Sequence, residues 1–150
     1  MIIRNYQPSD CKALVDLFYH TVHVINAKDY TQKQLDAWAS DDIDLEKWNW
    51  SFQEHDSIIA VEHGIIIGFG DIDKTGYLDR LYVHKDYQRK GVATAICNQL
   101  ESRNFKKIIT HASITARPFF EKRGFIVIKK QQVERKGIFL TNFLMEKINQ

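Results

Sequence analysis

Hydrophobic residues recur along this chain at two different spacings, and the switches between them mark out its elements. Ile2, Ile3 and Arg4 open as a short strand. Leu14, Leu17, Phe18, Val22 and Ile25 then fall at helical spacing behind Asp10, which stands where a helix cap would. Thr31 and Gln34 have the spacing of a capping box, and Leu35, Trp38 and Ala39 supply the apolar stripe of a second short helix ending near Ser40. Residues 41–52 read as a looser segment. From residue 57 the period becomes that of strands: 57–62 and 65–71 are rich in β-branched residues and are joined across His63-Gly64. Lys74-Thr75-Gly76 turns the chain into a third strand, 77–83.

The helical period returns at Gly91, with Ala93, Ile96, Cys97 and Leu100 on one face, and residues 107–112 read as a buried strand. Thr115 is placed to cap a further helix that carries Pro118 in its first turn, where the missing N–H costs nothing. Gly124 stops that helix as a C-terminal glycine does. Residues 125–133 and 138–145, joined across Arg135-Lys136-Gly137, complete a hairpin. The order predicts an α+β fold with a mixed, mostly antiparallel sheet of about seven strands and four helices on its faces.

Composition narrows the class. At 150 residues, without repeats or a Pro/Gly/Ser linker, residues 1–150 read as one domain. The 44% hydrophobic and 12% aromatic content supports a packed core. A net charge of +2 with dispersed cations gives no sign of a nucleic-acid partner. No apolar run is long enough for a membrane span and the start lacks a secretory pattern, so no membrane partner and a cytoplasmic location are expected. Cys11 and Cys97 sit in helical patterns without metal-ligand spacing, so no metal and no covalent cysteine intermediate are expected.

The richest chemistry lies where the 77–83 strand passes through a basic turn into a helix. A helix start presents unpaired N–H groups and the positive end of its dipole, which suit a phosphate. Gly91 lets an anion approach the backbone, small Ala93 keeps the first turn close, and Arg89 and Lys90 add positive charge. Neither GxxxxGK[ST] nor GxGxxG occurs, so the fingerprints of nucleoside triphosphate and dinucleotide sites are missing.

Gln88-Arg89-Lys90-Gly91-Val92-Ala93 resembles the Q/R-x-x-G-x-G/A signature of the GNAT acetyltransferases. The segment from Ala116 to Phe125, with Phe119-Phe120-Glu121-Lys122 and Gly124-Phe125, is similar to the family's A-x-x-F-Y-E-K-x-G-F helix end. The resemblance implies an acetyl-CoA cosubstrate. Its pyrophosphate would rest on the main chain of Gln88, Arg89, Lys90, Gly91, Val92 and Ala93, with the Thr94 hydroxyl adding a contact. Its pantetheine arm would pair with the backbone of Leu81, Tyr82 and Val83. Two central parallel strands that splay apart would leave the cleft for the thioester.

The implied reaction is direct attack of an amine on the thioester in a ternary complex, with a side chain taking the proton. Strand alternation puts Tyr77, Asp79, Leu81 and Val83 on one face, which makes Asp79 the first candidate base and His111, on the facing strand, the second. Two positions depart from common family patterns: Tyr77 stands where a glutamate is frequent, and Phe120 where a tyrosine often serves the leaving sulfur. Ser113 or Thr115 could serve that sulfur instead. His20, His23, Tyr30, Trp38, Trp48 and Trp50 are candidates for an aromatic wall around the acceptor, with Tyr77 beside them. The implied partner is a small-molecule primary amine, and the implied assembly a monomer or homodimer. A silent acyl-CoA sensor and a protein or peptide N-acetyltransferase are the competing functions.

Overall fold

The structure, a computed structural model, describes residues 1–149. Seven strands form one mixed sheet in the order β1-β2-β3-β4-β5-β7-β6. These are β1 (Ile2–Asn5), β2 (Asp56–Glu62), β3 (Ile65–Ile72), β4 (Tyr77–Val83), β5 (Lys107–Ser113), β6 (Ile126–Arg135) and β7 (Ile138–Ile148). Only β4 and β5 run parallel; every other pair is antiparallel. The helices are α1 (Cys11–Ile25), α2 (Gln32–Trp38), α3 (Leu45–Glu54), α4 (Val92–Glu101) and the six-residue α5 (Arg117–Lys122).

The sheet separates two cores. On one face α4 and α5 cover a cluster centred on Ile58, Leu78, Ile96, Leu100, Ile108 and Met145. On the other, α1, α2 and α3 bury Leu14, Phe18, Val22, Leu35, Phe52 and Phe69. Helix α4 lies close on β3 because two glycines make room: a Cβ at Gly68 would come within 2.9 Å of Val92 Cγ1, and one at Gly70 within 3.0 Å of Ile96 Cγ2. That close seat fixes where the start of α4 sits.

Local signals account for most element ends. The Thr31 hydroxyl accepts from Gln34 N at 3.2 Å and Gln34 Oε1 accepts from Thr31 N at 2.8 Å, a closed capping box. Gly124, at φ +92°, ends α5 in a Schellman motif: Phe125 N donates to Phe120 O at 3.0 Å and Gly124 N to Glu121 O at 3.1 Å, with the rings of Phe120 and Phe125 5.1 Å apart.

Three expectations are corrected. Residues expected to be loose include α3, capped by Asp44, whose carboxylate accepts from Glu46 N and Lys47 N at 3.0 and 3.2 Å. Trp48 and Phe52 turn its apolar side into the core, while Leu45 stays exposed. Asp10 precedes α1, but its carboxylate accepts from Gln7 N at 2.8 Å and from both terminal nitrogens of Arg4 at 2.9 Å rather than from α1. Thr115 does not cap α5; its hydroxyl donates to Asp29 Oδ2 at 2.8 Å, and Ser113 Oγ instead accepts from Ala116 N at 3.0 Å.

Candidate active site

Strands β4 and β5 pair only at Tyr77 with Ile109 and Leu78 with Thr110; beyond those two registers the parallel ladder is open. At the same point β4 carries a bulge. Ile72 stands opposite Leu78 and Asp71 opposite Arg80, so Asp79 has no partner on β3. One extra residue reverses the facing of all that follow. Tyr77, Asp79, Arg80 and Tyr82 therefore line one cavity, while Leu78, Leu81 and Val83 pack beneath α4. The expected shared face holds for Tyr77 and Asp79 and fails for Leu81 and Val83.

The cavity, of about 280 Å³, is walled by Phe18, Tyr30, Trp38, Trp48, Tyr77 and Tyr82. Phe18 meets Trp48 and Tyr82 at 4.9 Å, and Trp38 meets Tyr30 at 5.3 Å. The Tyr30 hydroxyl is fully used: it donates to Thr141 O at 2.6 Å and accepts from Ile114 N at 2.9 Å. Only its ring faces the cavity wall. Three other candidates do not line it. Trp50 is 65% exposed, His20 lies on the surface, and His23 Nε2 is bound to Ala39 O at 2.7 Å. The far wall comes from the last hairpin, through Val133, Arg135, Leu140 and Asn142, none of which sequence reasoning singled out.

Behind Asp79 lies a buried charge network. Asp71, wholly buried, accepts from Arg80 Nε at 3.0 Å and Nη2 at 2.6 Å, and from His55 Nδ1 at 2.6 Å. Arg80 also donates to Ser51 Oγ at 2.7 Å and lies over the rings of Phe52 and Trp48 at 4.1 and 4.8 Å. Hydrogen bonding to Asp71 raises the His55 pKa above its ordinary value. Donor atoms of His55, Asp71 and Asp79 lie within 4.8 Å of one another, close enough for a metal ion, but the guanidinium of Arg80 already supplies the positive charge on Asp71.

Asp79 itself is one-third exposed, with Oδ2 3.8 Å from Arg80 Nη2. Burial pushes its pKa up, the Asp71 charge pushes it further, and Arg80 pulls it back. A carboxyl group raised in this way is a better proton acceptor than a solvated one. His111 lines the same cavity, its Nδ1 2.7 Å from Gln131 Nε2 and its ring edge-on to Tyr77 at 5.5 Å. Burial pushes the Tyr77 hydroxyl up to about 12, so it stays protonated. Both proposed bases therefore face one space.

The remaining predicted positions divide. Ser113 lines the cavity, whereas Phe120 is buried against Phe119 and Phe125 at 5.3 and 5.1 Å. Burial pushes the Cys97 thiol up to about 12, which leaves no thiolate for nucleophilic attack. In the basic turn Gly91 takes φ +82° and Arg89 φ +60°, and the N–H groups of residues 89–94 make no backbone hydrogen bond. A Cβ at Gly91 would meet nothing within 4 Å, so the space before these donors is open. Gln88 Nε2 donates to Val83 O at 2.6 Å and ties the turn to the end of β4. Val92 is buried in the core, while Arg89, Lys90 and Thr94 are exposed and Ala93 is half-buried.

Comparison with known proteins agrees with this geometry. The family model for the acetyltransferase (GNAT) domain matches residues 26–147. The chain belongs to the GNAT acetyltransferase family. This GNAT chain is 37% identical over 144 residues to YafP, an uncharacterised N-acetyltransferase of Escherichia coli K12, covering 95% of this chain and 93% of the relative. A GCN5-related N-acetyltransferase of Rhodopseudomonas palustris superposes with a TM-score of 0.94 at 30% identity, over 99% of this chain and 95% of that one. The PaiA N-acetyltransferase of Thermoplasma acidophilum, solved with coenzyme A, shares the fold at a TM-score of 0.79 and 17% identity, covering 99% and 98%. By family the protein is an acyltransferase.

Elsewhere in this acetyltransferase a hollow of about 350 Å³ lies beside β1, lined by Tyr6, His55, Asp56 and Arg103 among others. Its carboxylate, Asp56, pairs with Arg103, Oδ1 accepting from Nη2 at 3.0 Å and Oδ2 lying 2.7 Å from Nε. Among the described residues no helix is long and apolar enough to cross a membrane.

Proposed function

We propose that this GNAT chain transfers the acetyl group of acetyl-CoA to the primary amine of a small molecule, by direct attack in a ternary complex. The observation that carries this reading is the coincidence of three features around one opening. The β4–β5 ladder ends after Leu78, the donor-rich turn of residues 88–94 stands beyond the end of β4, and the cavity holding Asp79 and His111 lies alongside. In this reading the pyrophosphate takes the N–H groups of the turn and the pantetheine arm takes the free edge of β4 at Leu81 and Tyr82. The Val83 carbonyl is already bound by Gln88 Nε2 and Thr21 Oγ1, at 2.6 and 3.2 Å.

The amine nitrogen attacks the thioester carbon, the carbon–sulfur bond breaks, and the coenzyme leaves as a thiolate. Asp79 takes the proton that the nitrogen sheds, with His111 as the second candidate. Holding amine and thioester side by side makes the step effectively intramolecular. Phe120 offers the sulfur no hydroxyl, and a thiol of ordinary acidity near 8.5 leaves without one.

Two measurements test the reading. Gly91→Val places a side chain in the open space before the turn, so the affinity for coenzyme A by calorimetry should fall at least about tenfold in a folded protein. Unchanged affinity refutes the coenzyme site. Release of free coenzyme A should depend on an added primary amine across a broad panel. Binding without any amine-dependent release would instead favour the sensor, a reading kept open by Phe120 in place of the family's frequent tyrosine.

A further inference from the structure

We infer that the acceptor carries a carboxylate as well as its amine: Arg135, a cation on the cavity wall that no carboxylate among the described residues pairs with, holds it while the nitrogen faces Asp79 and His111. This rests on the function proposed above and names the substrate class for the same site.

Arg135 is the last residue of β6, opposite Ile138 of β7. Alternate residues of a strand share a face, so Gln131, Val133 and Arg135 point one way and Glu134 the other. The contacts agree: Gln131 Nε2 reaches His111 Nδ1 at 2.7 Å, and Val133 and Arg135 both line the cavity. Among the described residues the guanidinium makes one hydrogen bond, from Nη1 to Glu134 O at 2.9 Å, and no ion pair. The next residue, Lys136, takes Asp42 at 2.9 Å instead. Burial and the Asp79 charge push the Tyr77 hydroxyl up while the Arg135 charge pulls it down, so the cation is within electrostatic reach of Tyr77, beside which Asp79 lies.

The balance of charge around the cavity defines the ligand. Asp79, Arg80 and Arg135 line it, and Arg80 is already occupied: its Nε and Nη2 lie 3.0 and 2.6 Å from the Asp71 carboxylate, and Nη2 donates to Ser51 Oγ at 2.7 Å. One carboxylate and one guanidinium remain to meet a ligand. A plain amine answers only the carboxylate, and a polyamine would bring a second cation towards Arg135, where like charges repel. An amine that also bears a carboxylate answers both, since the planar guanidinium offers a carboxylate two parallel N–H donors. The coenzyme's phosphates have other cations in the proposed site, Arg89 and Lys90, just ahead of α4, which covers the face of the sheet opposite to Val133.

The test uses the full chain and pairs of amines that differ only in the carboxylate: γ-aminobutyrate with propylamine, ε-aminocaproate with pentylamine, and phenylalanine with phenethylamine. An exposed ion pair is worth about fivefold at most and a sheltered charged hydrogen bond roughly 10- to 100-fold, so kcat/KM for coenzyme A release should favour the carboxylated member of at least one pair by about tenfold. Arg135→Gln should bring that ratio to within about threefold of one, through KM, and Arg135→Lys should keep part of it. Coenzyme affinity of Arg135→Gln by calorimetry should match wild type. A carboxylated member favoured in no pair, a ratio that survives Arg135→Gln, or a tenfold loss of coenzyme affinity in that variant each overturns the assignment. Wild type that releases no coenzyme A with any of these amines removes the proposed function, and this inference with it; release without preference for the carboxylate overturns the inference alone.

Discussion

Replacing Asp71 with asparagine tests the buried network behind the bulge, since the change keeps the shape and removes the charge. Arg80 would lose its counter-ion while only 10% exposed, and His55 would lose the carboxylate 2.6 Å from its Nδ1. Removing one partner of a buried pair costs about 3–5 kcal/mol. The contacts of Arg80 with Phe52, Trp48 and Ser51 are present before and after the change, so they offset none of this. Asp79, at 3.8 Å, can swing in as a partly exposed partner worth about 1 kcal/mol or less, leaving a net loss of roughly 2–4 kcal/mol. For a domain of this size that lowers the melting temperature by roughly 4–16 °C.

The pH dependence has a definite sign. His55 has a raised pKa in the folded state, so its pairing with Asp71 stabilises fully below the unfolded value near 6.5 and is lost as pH rises through the folded value. The Asp71→Asn destabilisation should therefore be larger at pH 6 than at pH 8.5. Guanidinium unfolding and calorimetry at both values measure it. A loss under about 1 kcal/mol at both, or the opposite ordering, refutes the account of the network. Turnover should also fall, because an Asp79 drawn onto Arg80 is a weaker base.

Two further substitutions probe the site and the frame. Asp79→Asn should reduce turnover by roughly 10²–10⁴ with little change in coenzyme affinity, and the loss should shrink at high pH, where more amine is already neutral. Near wild-type turnover from pH 6 to 9, together with a defective His111→Ala, moves the proton to His111. Gly124→Ala should cost about 1–2 kcal/mol by urea unfolding, since its Cβ would meet only Lys147 Cε at 3.9 Å and the penalty is that of a left-handed backbone at φ +92°. An unchanged midpoint shows that the Schellman turn is not what holds the end of α5.

What the residues declare by themselves is local. The capping box of Thr31 and Gln34, the turn at Gly91 and the stop at Gly124 between Phe120 and Phe125 each depend on groups within a few positions, so spacing exposes them. The signature from Gln88 to Ala93 marked the family for the same reason. Helix α3 reads as a loose segment, because its polar residues blur the period and only Asp44, Trp48 and Phe52 mark it. The bulge at Asp79 was not legible. It exists only in the register with β3, where Asp71 faces Arg80, and simple alternation therefore assigned Leu81 and Val83 to the wrong face. Asp71, Arg80 and His55 lie on β3, β4 and just past α3, and nothing short of their packing shows that one buried carboxylate gathers both cations. Val133, Leu140 and Asn142 likewise enter the cavity only because β7 inserts between β5 and β6. Spacing reports interactions between near neighbours along the chain; a bulge register, a buried charge cluster and a cavity wall are set by contacts between distant segments, which form only when the sheet assembles.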